Sequence, residues 1–295
     1  MTASATGTSA PRVSLPRDLR ELAPLIFAAV AFVILFSRPA TLLARDWWND
    51  PDAGHGLLLA PLAVWLGWKR GLVLAQPQRV AGVILLVAGI GLRYLSGLAA
   101  ELFTMRISMV MAALGVLIFF RGARQAVHWW LPIVLLGLSI PIPAVLTNTL
   151  ALPLQLKASS WGATLLAARH VPVELSGNII RLPGRDLFVT EACSGLRSLT
   201  ALLSLGVLVG GLWLRHPISR VLLILLALPV AMVVNSVRVF LTGFLVFFVD
   251  PKLGEGFMHL SEGWLLFVVA FLILGGFTWL VSRAETALLG ADDAA

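Results

Sequence analysis

Cys193 is the only cysteine in the chain of 295 residues. It lies in the segment Glu191-Ala192-Cys193-Ser194-Gly195-Leu196-Arg197, where a polar stretch meets a long apolar run. A lone thiol cannot form an intramolecular disulfide, and Arg197, four residues later, would share its helical face. A helix N-terminus and a neighbouring arginine stabilise a thiolate, which is the nucleophilic form of cysteine. The alternative is that Cys193 is a small, buried and inert side chain.

Arg238 and His259 are the other residues whose chemistry suits a thiol. Arg238 interrupts an apolar run one turn after Asn235, and a guanidinium there is costly enough to indicate a function. It could instead snorkel to the interface, or form an ion pair with Glu191 or Glu262. His259 precedes the last apolar run and could act as a general base, although loop histidines are also commonly just solvated.

His55 is a fourth candidate, in the external segment Asp52-Ala53-Gly54-His55-Gly56, where it could line the same site or only shape its loop. The five histidines lack the spacing of a metal site, and one cysteine cannot build a zinc cluster. The chain also lacks a phosphate-binding Gly-Lys-Ser/Thr loop and a dinucleotide fingerprint. We therefore expect neither a metal nor a cofactor.

The elements that must position these residues are apolar. Hydrophobic residues form 59% of the chain and charged residues 13%, with a mean hydropathy of +0.92, whereas soluble domains carry about a quarter charged residues. The net charge of +7 comes from basic residues scattered between the apolar runs. This distribution is typical of residues that set the orientation of spans in a lipid membrane, and not of a nucleic-acid-binding surface. The composition therefore predicts an all-α polytopic membrane protein.

Eight apolar runs approach the roughly 20 residues that cross a bilayer. Eleven of the 22 Lys and Arg residues fall in the loops and tails of one side, which the positive-inside rule makes cytoplasmic. We expect a tail at 1–22, a single bundle over 23–283 and a tail at 284–295, with both tails in the cytoplasm. The predicted spans are 23–37, 57–68, 80–98, 106–120, 127–146, 193–214, 221–249 and 264–282.

The region 147–192 is then an external insertion before the sixth span. Its first part, 147–170, is moderately amphipathic and suits a helix in the interface. The second part, 171–190, alternates apolar and polar residues, with turn signals at Ser176-Gly177-Asn178 and Pro183-Gly184-Arg185. A small hairpin is therefore predicted to lead into Cys193.

Depth in the membrane brings the candidates to one level. Arg238 follows Arg220, at the cytoplasmic start of the seventh span, by 18 residues, or about 27 Å of helix. That distance is close to the hydrocarbon thickness, so Arg238 should lie near the outer face. Cys193 is at the outer end of the sixth span and His259 precedes the eighth. Three reactive groups thus converge from three consecutive elements.

The blocks Glu191-Ala192-Cys193-Ser194-Gly195-Leu196-Arg197-Ser198-Leu199 and Asn235-Ser236-Val237-Arg238-Val239, followed by His259, resemble the exosortase/archaeosortase family. The segment from His55-Gly56 through Pro61 and Trp65 is also similar to that family, and the resemblance covers about residues 45 to 265. It implies a bacterial exosortase, a cysteine transpeptidase of the cytoplasmic membrane with its active site outside. Its Cys, Arg and His correspond to Cys193, Arg238 and His259.

The resemblance also implies the partners: exported proteins ending in a short motif, a transmembrane helix and a basic tail, and an unknown acceptor amine. Arg197, Asn235, Glu191 and His55 would support or orient the substrate, and either Arg197 or Arg238 could bind the scissile carbonyl. Three alternatives stay open. They are a transporter or channel, a non-catalytic assembly protein for exopolysaccharide export, and a protease that only hydrolyses.

Overall fold

The computed structural model describes residues 19–50, 52–189, 196–250 and 256–292. The described chain is mainly helical, and its contacts divide it into two compact units, Met1–Ile140 and Pro141–Ala295. Each unit is considered by itself, and the single bundle over 23–283 stays a prediction.

The described part of the first unit contains six helices. They are α1 (Leu19–Asn49), α2 (Gly56–Arg70), α3 (Arg79–Leu98), α4 (Leu102–Arg121), α5 (Ala123–His128) and α6 (Trp130–Leu138). Helices α3 and α4 pack backbone to backbone, because glycine replaces a side chain at each crossing point. A Cβ atom on Gly82 would lie 2.5 Å from Phe119, and one on Gly115 would lie 2.6 Å from Leu86. Small residues allow this close approach where hydrophobic burial from water is weak.

The loops that the sequence assigns to the cytoplasm meet at one end of this unit. Gln125 accepts a bond from the Val73 amide at 2.8 Å and donates to the Gly71 carbonyl at 3.3 Å. Arg70 donates to the His128 carbonyl at 2.9 Å. The loops after α2 and α4 are therefore held together, as loops on one side of a membrane would be.

Among its described residues, the second unit contains a small sheet and four helices. They are α7 (Ala144–Ala168), β1 (Glu174–Ser176), β2 (Ile179–Leu182), β3 (Arg185–Phe188), α8 (Leu196–Trp213), α9 (Pro217–Phe248) and α10 (Gly256–Asp292). The strands form an antiparallel meander in the order β1-β2-β3. Gly177 and Gly184 lie in its two-residue turns at φ 64° and φ 81°, which glycine adopts without a Cβ clash. The predicted hairpin is therefore a three-stranded sheet. The two predicted turns are the ones that join β1 to β2 and β2 to β3.

Five described helices are long and apolar enough to cross a membrane. They confirm an all-α membrane protein in outline but do not confirm eight spans. The predicted span 127–146 is interrupted, since α6 ends at Leu138 and α7 begins at Ala144. Pro141 and Pro143 lie between them, and a proline disfavours the helical conformation of the residue before it. Helix α7 corresponds to the helix expected at 147–170. The five candidate spans are Leu22–Asn49, Arg79–Leu98, Leu102–Arg121, Pro217–Phe248 and Leu265–Ala287.

Candidate functional site

Arg238 lines a narrow cavity at the meeting point of three helices in the second unit. The cavity has a volume of about 10 Å³, close to the space for one water molecule. Asn235, one turn before Arg238, faces it too and is 6% exposed. These polar groups therefore share one face of α9 inside an otherwise apolar contact. The lining residues are Leu202, Ala231, Val234, Asn235, Arg238, Leu266, Phe267 and Ala270.

Helices α8 and α9 pack antiparallel in a constant register. The position opposite Gly210 is Leu223, whose Cδ2 would be 3.3 Å from an added Cβ, and Gly206 faces Ala227 in the same way. Two turns from Gly210, Leu202 lines the cavity with Ala231. For every four residues toward the start of α8, the partner position on α9 is four residues later in the sequence. The first residue of α8, Leu196, is therefore level with Val237, the neighbour of Arg238.

Helix α10 follows a similar register against α9. A Cβ added at Gly206 would lie 4.0 Å from Ala227 and 3.5 Å from Leu274, and Ala231 and Ala270 line the same cavity four residues further on. Continued along α10, which begins at Gly256, this register sets His259 about four residues beyond Arg238, or about 6 Å along the axis. His259 precedes Leu266 by seven residues, so both positions lie on the face of α10 that borders the cavity.

The sheet leads the chain to the same end of this unit. Ile180 and Leu182, two residues apart on β2, are buried in a cluster with Leu166 of α7 and Val239 of α9. Val189, which follows β3, belongs to this cluster. Its backbone amide donates to the Asn178 carbonyl at 2.9 Å, and its carbonyl accepts a hydrogen bond from the Asn178 side-chain amide at 3.1 Å. The chain is thus fixed beside Val239 immediately before the predicted nucleophile segment.

The described residues contain only part of the predicted site. Cys193 and Glu191 lie outside them. Arg197 is the second residue of α8 and His259 is in the first turn of α10, but their side chains are not described. The structure therefore brings together Arg238, Asn235 and the helix starts that carry Arg197 and His259. The catalytic roles of all these residues stay predictions.

His55 belongs to the first unit. Its Nδ1 is 3.1 Å from the Asp52 carbonyl oxygen and its Nε2 is 3.2 Å from that of Leu138. Nearby, Trp47 Nε1 donates to the Ser139 carbonyl at 2.7 Å. These contacts join the loop before α2 to the end of α6, so His55 has a structural role there. A catalytic role for His55 stays a prediction.

Two structural features are not among those that the sequence predicts. Arg106, 4% exposed, forms an ion pair with Asp46 at 2.5 Å, and the signal for it was an arginine at the start of an apolar run. Gly162 of α7 packs directly on α9, where its Cβ would lie 2.5 Å from Val239 Cγ1. Only the three-dimensional contact identifies this second feature, because an isolated glycine in a helix has many explanations.

Comparison with protein families adds one finding. The sequence model of the transmembrane exosortases matches residues 47–276, which is more than half of the chain. The chain belongs to the transmembrane exosortase family. The match contains α2 to α9 and the first part of α10. It therefore includes the positions of Cys193, Arg238 and His259. Comparison with curated proteins and with solved structures finds no match. Exosortase membership supports a membrane transpeptidase type of role in general.

Proposed function

We propose that this exosortase cleaves the C-terminal sorting signal of exported proteins at the external face of the cytoplasmic membrane and transfers them to an acceptor amine. The observation that carries the proposal is the common level of three elements in the second unit. Leu196 at the start of α8 is level with Val237 of α9, next to Arg238, and His259 in the first turn of α10 is about four residues beyond Arg238 along the axis.

Chain connectivity supports Cys193 as the nucleophile. Cys193 is three residues before Leu196 and four residues after Val189. Leu196 is level with Val237 of α9, the neighbour of Arg238. This short separation in the sequence supports Cys193 as the residue that acts together with Arg238.

The first chemical step forms a thioester. His259 takes the thiol proton, and the Cys193 thiolate attacks the peptide carbonyl beside the substrate's transmembrane helix. Arg238 donates hydrogen bonds to the oxygen as it becomes negative in the tetrahedral intermediate. The C–N bond then breaks, and His259 returns the proton to the leaving amine.

The second step releases the substrate. The acceptor amine attacks the thioester carbonyl, His259 removes its proton, and the Cys193 sulfur leaves as a thiolate. Arg197 and the N-terminus of α8 stabilise that thiolate, while Asn235 and Glu191 orient Arg238 and the substrate. An apolar environment strengthens the oxyanion contact and favours transfer over hydrolysis by limiting water.

The decisive experiment is co-expression of the full chain with a tagged protein that ends in a sorting signal. Cys193→Ala and Cys193→Ser should both abolish processing, as detected by a shift in the tagged protein's mass. Arg238→Lys should reduce it at least tenfold, since lysine lacks the guanidinium fork. The exposed Arg215→Lys is the matched control and should process normally. Equal processing by Cys193→Ala would refute the nucleophile assignment.

Mass spectrometry of the product's new C-terminus separates transfer from hydrolysis. A joined amine supports the transpeptidase, whereas a free carboxylate in every product indicates a protease. A transporter or an assembly protein would retain its function with Cys193→Ala. A reporter fused after Gly256 should be external, and a cytoplasmic signal would contradict the topology.

A further inference from the structure

A long apolar cleft lies in the first unit between α1, α4 and α6. Its volume is about 510 Å³, within the roughly 300–1,000 Å³ typical of small-ligand sites. Helix α1 contributes Leu25, Phe32, Leu43 and Trp47, and α4 contributes the residues between Met109 and Arg121 that face α1. The outward face of α1 is strongly exposed, with Phe27 77% accessible, as expected of a helix in contact with lipid.

The dimensions of the cleft fit an alkyl chain. Its lining runs from Met109 to Arg121 on α4, about 18 Å, and from Leu25 to Trp47 on α1, about 33 Å. A transmembrane helix 30 Å long and about 10 Å wide has a volume of roughly 2,400 Å³, so only one face of such a helix would enter a cleft of about 510 Å³. At about 30 Å³ for each water-sized group, the cleft holds roughly 17 groups, close to one acyl chain.

The charge at one end of the cleft selects the headgroup. Arg121 is the one charged side chain among the described residues that line it. Neither ion pair in the described part of the chain involves Arg121. Arg121 ends α4, at the same end of the unit as Arg70 and Arg124, and basic pockets between membrane helices attract anionic headgroups.

We propose that this cleft binds one acyl chain of an anionic phospholipid, with the lipid phosphate at Arg121. The bound lipid belongs to the leaflet at the basic end of the unit and fills the gap between α1 and α4. Its second acyl chain stays in the bilayer. The site is independent of the Cys193 chemistry.

Native mass spectrometry of the purified full chain tests the proposal. The protein is incubated with equal amounts of dioleoyl phosphatidylglycerol and dioleoyl phosphatidylcholine in mild detergent. The wild type should retain about one lipid, mainly phosphatidylglycerol. Ala113→Trp, which fills the cleft, should lose it, whereas the exposed Ala81→Trp on α3 should not. Arg121→Gln should reduce the preference for phosphatidylglycerol about fivefold, and the exposed Arg79→Gln should not.

Three results would overturn the inference. Ala113→Trp could retain lipid as the wild type does, both lipids could bind the wild type equally, or a polypeptide could occupy the site in place of lipid. If Ala113→Trp does not elute as a folded species, the smaller Ala113→Leu is measured instead. Arg121→Gln tests the headgroup contact without adding bulk to the cleft.

Discussion

The contact between Gly162 and Val239 gives the sharpest test of how the second unit positions Arg238. A Cβ atom on Gly162 would lie 2.5 Å from Val239 Cγ1 and 3.0 Å from Val239 Cβ. Gly162→Ala must therefore move α9 or α7 by up to about 1 Å, since van der Waals contacts begin near 3.5 Å. Overpacking of this kind costs about 1–3 kcal/mol of folding free energy. A displacement near 1 Å at a catalytic group can lower the rate about 100-fold.

Val239→Ala is the compensating change because it removes the closest atom, Cγ1. It leaves the 3.0 Å approach to Cβ, which needs a shift of only a few tenths of an ångström. The double variant should recover about 1–2 kcal/mol relative to the sum of the single changes, within the range of coupled neighbours. Processing of the tagged substrate should recover with it.

Unfolding in detergent and substrate processing are measured for the wild type, both single variants and the double variant. Gly275→Ala is the matched control, because no atom lies within 4 Å of its Cβ position and alanine favours a helix by up to about 1 kcal/mol. Additivity within about 0.5 kcal/mol would refute the packing argument. Unchanged processing by a destabilised Gly162→Ala would refute the claim that this contact positions Arg238.

Three further changes test other parts of the structure. Asp46→Ala leaves the buried Arg106 without its carboxylate and should cost about 3 kcal/mol, the low end of the usual range because Asp46 is 38% exposed. Adding Arg106→Met should restore most of this loss in thermal unfolding. Gly184→Val imposes a β-branched side chain at φ 81° and should destabilise the unit by about 1–2 kcal/mol, whereas Asp186→Ser on the exposed side of β3 should not. The Thr104 hydroxyl, aided by the Phe103 and Thr104 amides, lowers the pKa of Glu101 against the opposing effect of burial. Stability from Glu101 is therefore complete above its unfolded pKa and is lost as the pH falls through the lower folded value. The stability difference between wild type and Glu101→Gln should shrink between pH 7 and pH 3, and a constant difference would contradict this cap.

Local signals in the sequence predicted the local structure well. The turns at Gly177 and Gly184 were found because a two-residue turn between short strands depends on its own residues. Hydropathy does not predict the interruption after Leu138, because the apolar run continues through 127–146 without a break. Pro141 and Pro143 carried that information, since their restriction of the backbone does not depend on apolar character.

Non-local contacts could not be read from the sequence in the same way. Nothing in the residues around Gly162 indicates that Val239, 77 positions later, fills the space beside it. The antiparallel register of α8 and α9 also depends on which residues of α9 meet the glycines of α8, namely Leu223 at Gly210 and Ala227 at Gly206. Hydropathy identifies the helices. It does not determine how each helix is rotated about its axis or how far it is shifted along that axis relative to its neighbours.

The level of the predicted site is an exception, and it has a physical reason. A transmembrane helix has ends fixed by the two interfaces, so counting residues from one end at 1.5 Å each gives depth without knowledge of any partner. Counting from Arg220 predicts that Arg238 lies near the outer face, and the register of α9 with α8 independently sets Arg238 level with the start of α8. Depth restricts a side chain to a layer but leaves its direction in that layer undetermined. The sequence can therefore predict that Cys193, Arg238 and His259 share a layer. Their contacts depend on how each helix is rotated about its axis. For α9, the cavity lined by Asn235 and Arg238 shows which face of the helix points toward the site.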